Sequence, residues 1–396
     1  KILYILVLVM FASITRTRST QLFRGAYAKK FSLGRLSAAS FSAFTAPNTH
    51  VAPVSLAHPA SPQARYSSTH SFISAVDVTQ VSIPELKKEL STLIDFKLAS
   101  NDPHNNAAFI EHLMDLYKTG HSLPKDFVKK LLNHSRVHQL TLPNILTVNR
   151  SFSIDDEGTF DSNLTIVGDV HGQYHDFAQI FQNSELAGYP SAKNQFIFNG
   201  DMVDRGAMAV EIVIVLLVAK LLCPESVHIL RGNHETLSMT QAFGFQKEVL
   251  RKYDHGILSQ FRDLFDALPV AAVVENKIFV THGGIGPTVA KMSLEEINKI
   301  NRVGEPDYEN ALVELLWSDP KDNLTGFRAN KGRGGGTVCF GADVTEHFLA
   351  NNNLSLLIRS HEVMMNGFET FHDGLCWSVF SAPNYCGDTG NYAALV

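Results

Sequence analysis

Side chains of metal-ligand type recur along the chain after residue 160, each a few residues after a short apolar run. They are carboxylates, imidazoles and an amide without thiolate, a mixture that suits a borderline divalent metal such as Mn, Fe, Co or Zn. A single structural zinc ion is usually bound by four protein ligands, commonly including Cys, with no open coordination position. Two metals sharing a bridge can instead hold both oxygens of a phosphoryl displacement. The six candidate ligands are Asp169, His171, Asp201, Asn233, His282 and His361.

The apolar runs before these side chains predict the strands that position them. Buried strands read as continuous apolar runs of about 4–8 residues, and such sheets place their sites beyond the carboxyl ends of the strands. Each of these residues alone could be a structural histidine or a turn-forming aspartate, so the metal site is indicated only by all of them together. Neighbouring glycines let the backbone turn sharply and approach a bound oxyanion closely. The runs before the ligands are Leu164–Val167, Phe196–Phe198, Val227–Leu230, Ile278–Val280 and Leu356–Ile358, and a sixth run of the same kind, Trp377–Phe380, precedes the segment with Tyr385.

Three helical patterns precede the strands, over residues 83–99, 106–118 and 124–136. In the third, Ser122 is expected to cap the helix, and Pro124 lies near the first turn, where a missing N–H costs little. We find no repeat of fixed period, which excludes a solenoid.

A very apolar segment, Met208–Cys223, lies between the second and third predicted strands. It is short for a membrane span, which needs about 20 residues. Glu211 and Lys220 also interrupt it. We therefore predict a buried helix packed on the sheet.

Charge is unevenly distributed along the 396 residues. Residues 1–76 contain eight Lys or Arg and no acid, whereas residues 77–396 contain 26 basic and 39 acidic residues. An acidic body argues against a nucleic-acid surface, which needs clustered Lys and Arg. The four cysteines form no C-x-x-C pair. They favour free or buried thiols over a zinc knot or a disulfide framework.

The first 76 residues are predicted to be a targeting leader. An apolar run, Ile2–Ile14, follows a positive charge as in a signal peptide, and residues 15–76 resemble an organelle transit peptide. Together they look like the bipartite leaders of plastid proteins in algae with complex plastids; a mitochondrion is the other organelle considered. The remaining interpretation is a disordered tail behind a membrane anchor. Without a functional leader we expect a cytoplasmic protein.

The motifs of the body resemble those of the serine/threonine protein phosphatases of the PPP superfamily, and within it the type 5 catalytic domain without its tetratricopeptide repeats. The resemblance runs from about residue 85 to the end through GDVHGQ, FNGDMVDRG, LRGNHET, THGG, LLWSDP, LIRSHEV and VFSAPNYCG. It implies an α/β fold: a two-sheet β-sandwich flanked by helices, the calcineurin-like metallophosphoesterase fold. The implied catalytic domain is 77–396, with N-terminal helices over 77–150 and the metal-site core over 151–396.

The same resemblance implies two divalent metal ions, either Mn or Fe with Zn or Mn. Asp201 bridges them. The first metal takes Asp169, His171 and Asp201, and the second takes Asp201, Asn233, His282 and His361. A metal-bound hydroxide attacks phosphorus, because two cations lower the pKa of water toward neutrality.

The remaining roles are also implied by the resemblance. His234 is the general acid, Asp204 orients it, and Arg205 grips phosphate. The second arginine, Arg333, lies one residue farther from the following Phe-Gly than usual, so its glycine-rich loop must bulge. Asn233 and Tyr385 complete the substrate site. The family adds another strand after SAPNYCG, so we expect the sheet edge to be incomplete here.

The implied activity is hydrolysis of phosphoserine and phosphothreonine in proteins. Two alternatives stay open: hydrolysis of dinucleoside polyphosphates or other small phosphoesters, and a catalytically silent phosphoprotein-binding scaffold. The SAPNYC segment and the arginine loop favour protein substrates. The complete ligand set with His234 argues against a silent protein. Expected partners are phosphoproteins and a regulatory subunit, with no nucleic acid and no membrane for the catalytic domain.

Overall fold

The computed structural model describes residues 2–4, 82–98, 102–149, 162–307, 310–334 and 336–396. The chain divides into two units, one of residues 1–7 with 79–396 and one of residues 8–78. The second unit lies outside the described residues, and so does the predicted leader apart from residues 2–4.

The strands of the described residues form two larger sheets and a small one. In chain order they are β1 (Ile2–Tyr4), β2 (Ile145–Val148), β3 (Asn163–Val167), β4 (Asn194–Phe198), β5 (Val227–Ile229), β6 (Ala271–Val274), β7 (Ile278–Thr281), β8 (Asp319–Pro320), β9 (Phe327–Ala329), β10 (Val338–Phe340), β11 (Leu356–Arg359), β12 (Phe368–Phe371), β13 (Cys376–Val379) and β14 (Ala393–Leu395).

The five-stranded sheet has the order β1-β14-β3-β4-β5, and the six-stranded sheet has the order β12-β13-β11-β7-β6-β2. Strands β3, β4 and β5 are parallel, as are β13, β11 and β7. The small sheet has the order β8-β10-β9. The expectation of an incomplete edge is wrong in one respect, because β14 follows the SAPNYCG segment and pairs antiparallel with β3.

Apolar side chains from both larger sheets fill the space between them. Ile166 and Ile197 of the first sheet share one buried cluster with Val280 and Ile358 of the second. Burial of such side chains away from water is the main favourable term in folding. The predicted two-sheet β-sandwich flanked by helices is confirmed, and the small third sheet is an addition to it.

Helices cover the outer faces of both sheets, where two further apolar clusters lie. This double covering explains why the central strands read as continuous apolar runs. In chain order the helices are α1 (Ile83–Leu93), α2 (Pro103–Lys118), α3 (Lys125–Thr141), α4 (Tyr174–Gln182), α5 (Ala209–Leu222), α6 (Leu237–Phe243), α7 (Phe245–Lys252), α8 (His255–Ala267), α9 (Leu294–Ile297), α10 (Ala311–Trp317) and α11 (Ala342–Asn351).

The first three helices differ from their predicted ends. α1 ends at Leu93 instead of residue 99, and α2 begins three residues early because Asp102 caps it by accepting from the His104 N–H at 3.0 Å. The predicted Ser122 cap is wrong: Pro124 occupies the cap position, and no side chain caps α3. Ser122 lies two residues too early to serve the first turn.

The apolar segment before β5 is the helix α5, and all of its residues except Lys220 are buried. Its packing between other helices and the first sheet confirms the predicted core helix. Within the described part of the chain, no helix combines the length and apolar character needed to cross a bilayer.

Candidate active site

The six predicted ligands meet where strands of both sheets end. Nearby, the buried Asn199 joins the sheets, because its Nδ2 donates to the Thr281 carbonyl and to the Ser360 hydroxyl, each at 2.9 Å. The ligands therefore come from two layers whose relative position is fixed close to the site. The first sheet supplies Asp169, His171, Asp201 and Asn233, and the second supplies His282 and His361.

One group of ligands surrounds His171. Its Nε2 lies 3.5 Å from Asp169 Oδ2 and 3.4 Å from Asp201 Oδ2. Its Nδ1 donates to the Val203 carbonyl at 2.8 Å, which leaves Nε2 as the nitrogen available to a metal. Burial acts to lower the pKa of His171, but the Asp169 and Asp201 carboxylates outweigh it and raise that pKa to about 9. This excess of negative charge favours a cation.

A second group uses the other oxygen of Asp201. His282 Nε2 lies 3.3 Å from Asp201 Oδ1, and its Nδ1 donates to the Asn199 carbonyl at 2.7 Å. The Asn233 amide lies between two imidazoles, 2.9 Å from His282 Nε2 and 2.8 Å from His361 Nδ1. Asp201 thus presents one oxygen to each group, as a bridging ligand would.

These side chains fit divalent cations. Asp169 Oδ2 is buried and accepts no hydrogen bond from any described residue. Such an oxygen is costly to bury alone, and a cation beside it would remove the cost. Among the described residues, two sets of side chains each bring their possible metal-ligand atoms within 4.8 Å of one another. One set is Asp201 with His282 and His361, and the other is Asp201 with His171 and His234.

His234 is the one member of these sets that we assigned to proton transfer. Its Nδ1 lies 2.7 Å from Asp204 Oδ2, and the Asp204 Oδ1 accepts from the Phe245 N–H at 2.8 Å. The carboxylate therefore fixes the tautomer of the ring and leaves Nε2 to exchange a proton. The backbone N–H of His234 donates to Asp201 Oδ1 at 2.9 Å, which joins the proposed acid to the candidate bridging residue.

Arg205 and Tyr385 lie on one side of the ligands. The Arg205 guanidinium carbon lies 3.9 Å from the centre of the Phe243 ring, a cation–π contact. The same ring is 5.3 Å from the His234 ring, so Phe243 positions the arginine beside the acid. Tyr385 lies 5.1 Å from the His171 ring.

Arg333 lies on the second sheet's side. Its Nη2 donates to the His361 carbonyl and its Nε to Asp319 Oδ2, each at 3.2 Å. The loop around it contains Gly334 and Gly336 at φ of 100° and 80°. These are conformations that glycine adopts without strain, so the glycines suit the turns of this loop.

Two buried acids that the sequence interpretation left without a role support the site. Glu235 accepts from three backbone N–H groups, and burial together with the Asp201 carboxylate raises its pKa to about 7. The sequence signal that could have identified Glu235 as part of the site is its position directly after His234. The donors are Asp201 at 2.8 Å, Met202 at 2.9 Å and Gly232 at 2.8 Å.

The second supporting acid is Asp319, from the LLWSDP motif. Its Oδ1 accepts from the buried Arg359 at 2.7 Å while its Oδ2 accepts from Arg333. Asp319 therefore restricts the position of the phosphate-binding candidate Arg333.

Left-handed backbone is concentrated at this site. Residues other than glycine rarely adopt positive φ, at a cost of about 1–3 kcal/mol each, although Asp, Asn and His tolerate it best. A glycine is needed nearby, since a Cβ on Gly232 would lie 2.3 Å from the Asp201 nitrogen. The left-handed residues are His171 (φ 41°), Asp201 (52°), Asp204 (69°), Arg205 (67°) and His361 (72°).

Comparison with known proteins places this geometry in a family. Residues 162–365, just over half of the chain, match the family described as calcineurin-like phosphoesterase. The chain is 42% identical to "Serine/threonine-protein phosphatase 5" of Arabidopsis thaliana over 288 residues, 73% of this chain and 51% of that protein. It is 40% identical to the Homo sapiens protein of that name over 292 residues, 73% of this chain and 55% of that one.

A solved structure is also similar. It is a protein serine/threonine phosphatase from Saccharomyces cerevisiae, described as similar to human phosphatase PP5. The TM-score is 0.67 at 33% identity, over 73% of this chain and 87% of that one. The chain spans about half the length of the two curated relatives above. From the matched family and the shared fold it follows that this chain belongs to the calcineurin-like phosphoesterase family.

Proposed function

We propose that this protein hydrolyses phosphoserine and phosphothreonine in proteins. The observation that carries the proposal is the joint placement of two ligand groups sharing Asp201, an imidazole held by Asp204, and two arginines beside them. Metal ligands alone would suit many phosphoesters, but a positioned acid suits a poor alkoxide leaving group such as a seryl oxygen.

The residues divide the work as follows. Arg205 and Arg333 would bind the phosphate oxygens from two sides, since a guanidinium can donate two parallel hydrogen bonds to an oxyanion. Water would form the new bond to phosphorus as the bond to the seryl or threonyl oxygen breaks. His234, protonated on both ring nitrogens, would give its Nε2 proton to that leaving oxygen, and Asp204 would stabilise this protonated ring by accepting from Nδ1. The proton released by the attacking water would restore the acid after each turnover.

Two divalent cations would be held by the six ligands, with Asp201 shared between them. When bound, they would supply Lewis acidity, which lowers the pKa of the attacking water and balances phosphate charge. We propose Mn, or Fe with Zn or Mn, because nitrogen and oxygen ligands without thiolate suit these ions. Phosphoprotein substrates and a regulatory subunit are the partners that belong to the same proposal.

The test is a metal-dependent assay of the full chain. After chelation we expect no hydrolysis of phosphoseryl peptides, with recovery on adding Mn²⁺, and little hydrolysis of dinucleoside polyphosphates under the same conditions. Undiminished activity after metal removal, confirmed by elemental analysis, would contradict the metal assignment. Preference for the dinucleotides would contradict protein substrates.

We also propose that residues 1–76 direct the protein to an organelle, with a plastid favoured over a mitochondrion. The support is an apolar run behind a positive charge, followed by a long basic segment without acids. Fused to a fluorescent protein with an initiator Met, this segment should produce fluorescence in a membrane-bound compartment. Diffuse cytosolic fluorescence would contradict targeting.

A further inference from the structure

A cavity of about 480 Å³ lies beside the ligands, and none of its lining residues is a predicted ligand. It shares walls with the site, because Gly206 donates its N–H to the His171 carbonyl at 2.8 Å and Cys386 directly follows Tyr385. A group in this cavity would therefore lie next to a phosphate bound at Arg205. The lining residues are Gln173, Asp176, Arg205, Gly206, Pro383, Asn384, Cys386 and Gly387.

Two of these side chains carry charge, Arg205 and Asp176. If Arg205 binds phosphate, as proposed above, its charge is balanced by the substrate itself. Asp176 then remains as the uncompensated charge of the cavity. A pocket with one available carboxylate next to a bound phosphate is suited to a cation.

The Asp176 carboxylate is held in position by a neighbour. Gln173 Nε2 donates to Asp176 Oδ2 at 3.0 Å and to the Pro383 carbonyl at 2.8 Å. This pair of bonds joins the start of α4 to the loop that carries Tyr385. Among the described residues, Asp176 Oδ1 accepts no hydrogen bond, so one oxygen is left for a ligand.

We propose that this cavity is a subsite for a lysine or arginine side chain that flanks the phosphorylated residue, and that Asp176 recognises it. The inference rests on the proposed function and names its substrate class: phosphoproteins with a basic residue near the phosphate. The volume accommodates a long side chain, and the half-buried carboxylate offers an ion pair at its end.

A structural role for Asp176 makes a different prediction. Asp176 lies in the first turn of α4, where a carboxylate stabilises the helix by interacting with its dipole. If this were the role of Asp176, removing its charge would lower thermal stability and would reduce activity on every substrate alike. A recognition role would change only the preference among substrates.

The experiment compares phosphoseryl peptides that carry Arg, Ala or Glu at each of the three positions on either side of the phosphoserine. Wild-type protein should have its highest kcat/KM on Arg peptides at one or more of these positions. Asp176→Asn should reduce the Arg-over-Ala preference about fivefold, the size of a partly exposed ion pair. It should leave turnover of the Ala peptide and of an aryl phosphate unchanged. Asp176→Lys should favour the Glu peptide.

The matched control is Asp388→Asn, which removes the same charge from an exposed residue of the neighbouring loop that does not line the cavity. It should leave the Arg preference intact. An unchanged Arg preference in Asp176→Asn, or an equal loss on all substrates with a lower Tm, would overturn the subsite. Failure of wild-type protein on every phosphoseryl peptide would overturn the proposed function and the subsite together.

Discussion

Replacing His234 with asparagine is expected to slow hydrolysis of phosphoseryl peptides by about 10²–10⁴-fold while both metals stay bound. The reason is that Asp204 holds Nδ1 at 2.7 Å and leaves Nε2 for the leaving oxygen. The loss should shrink for aryl phosphates, because a phenolate leaves with less need of protonation than an alkoxide. The measurement is the ratio of the two turnover rates in each variant, together with metal content.

Two neighbouring variants serve as comparisons for His234→Asn. Asp204→Asn should reproduce the defect in weaker form, since it only orients the imidazole. Asn233→Ala should lower metal occupancy and slow both substrate types alike. His234 also lies close to His171 and Asp201, so it could be a ligand. If His234→Asn sheds a metal and slows both substrates equally, the assignment of the acid is wrong.

The second large effect is expected at the bridging residue. Asp201→Asn removes the charge that faces both ligand groups, at 3.4 Å from His171 and 3.3 Å from His282. We expect loss of both metals and a fall in activity of roughly 10³-fold or more, because metal ions contribute several kcal/mol to transition-state stabilisation. Elemental analysis and kcat/KM on phosphoseryl peptides measure the two effects.

Asp169→Asn is the matched control for the bridge, because the Asp169 Oδ2 faces the His171 group, whereas its Oδ1 accepts from the backbone N–H of His361, a bond that an asparagine oxygen can keep. This substitution should weaken the binding of one metal and leave the binding of the other unchanged. Equal metal content in Asp201→Asn and wild-type protein would contradict the bridge. Loss of both metals in Asp169→Asn would contradict the division into two groups.

The sequence sufficed to predict that the six candidate ligands lie together, because their types and the strands before them are local features. Six side chains after five apolar runs could be placed at one edge without knowing the strand order. The support of the site was harder to predict. Glu235 binds backbone N–H groups of the segment that follows β4, and Asp319 joins Arg333 to Arg359. Residue spacing does not reveal such partners.

Some elements lacked a readable pattern. Every residue of β9 is exposed, so no apolar run predicts this strand of the small sheet. The strand β14 is only three residues long and rich in Ala, which gives a weak strand signal. The glycines were ascribed to the approach of an oxyanion. The structure adds a further reason at Gly232, because the Asp201 backbone passes beside it and leaves no room for a Cβ.

The left-handed backbone at His171, Asp201 and His361 limits which substitutions evolution or a laboratory screen can accept there. Asp, Asn and His supply metal ligands and are also the side-chain-bearing residues that best tolerate this conformation. Glycine would adopt the left-handed conformation without strain but would remove the metal ligand. Glu or Cys would keep an atom that can bind metal but would be strained at positive φ. An alanine scan of these positions would mix lost chemistry with altered backbone, so asparagine is the cleaner probe. The fold thereby narrows the set of acceptable mutations more than coordination chemistry alone would require.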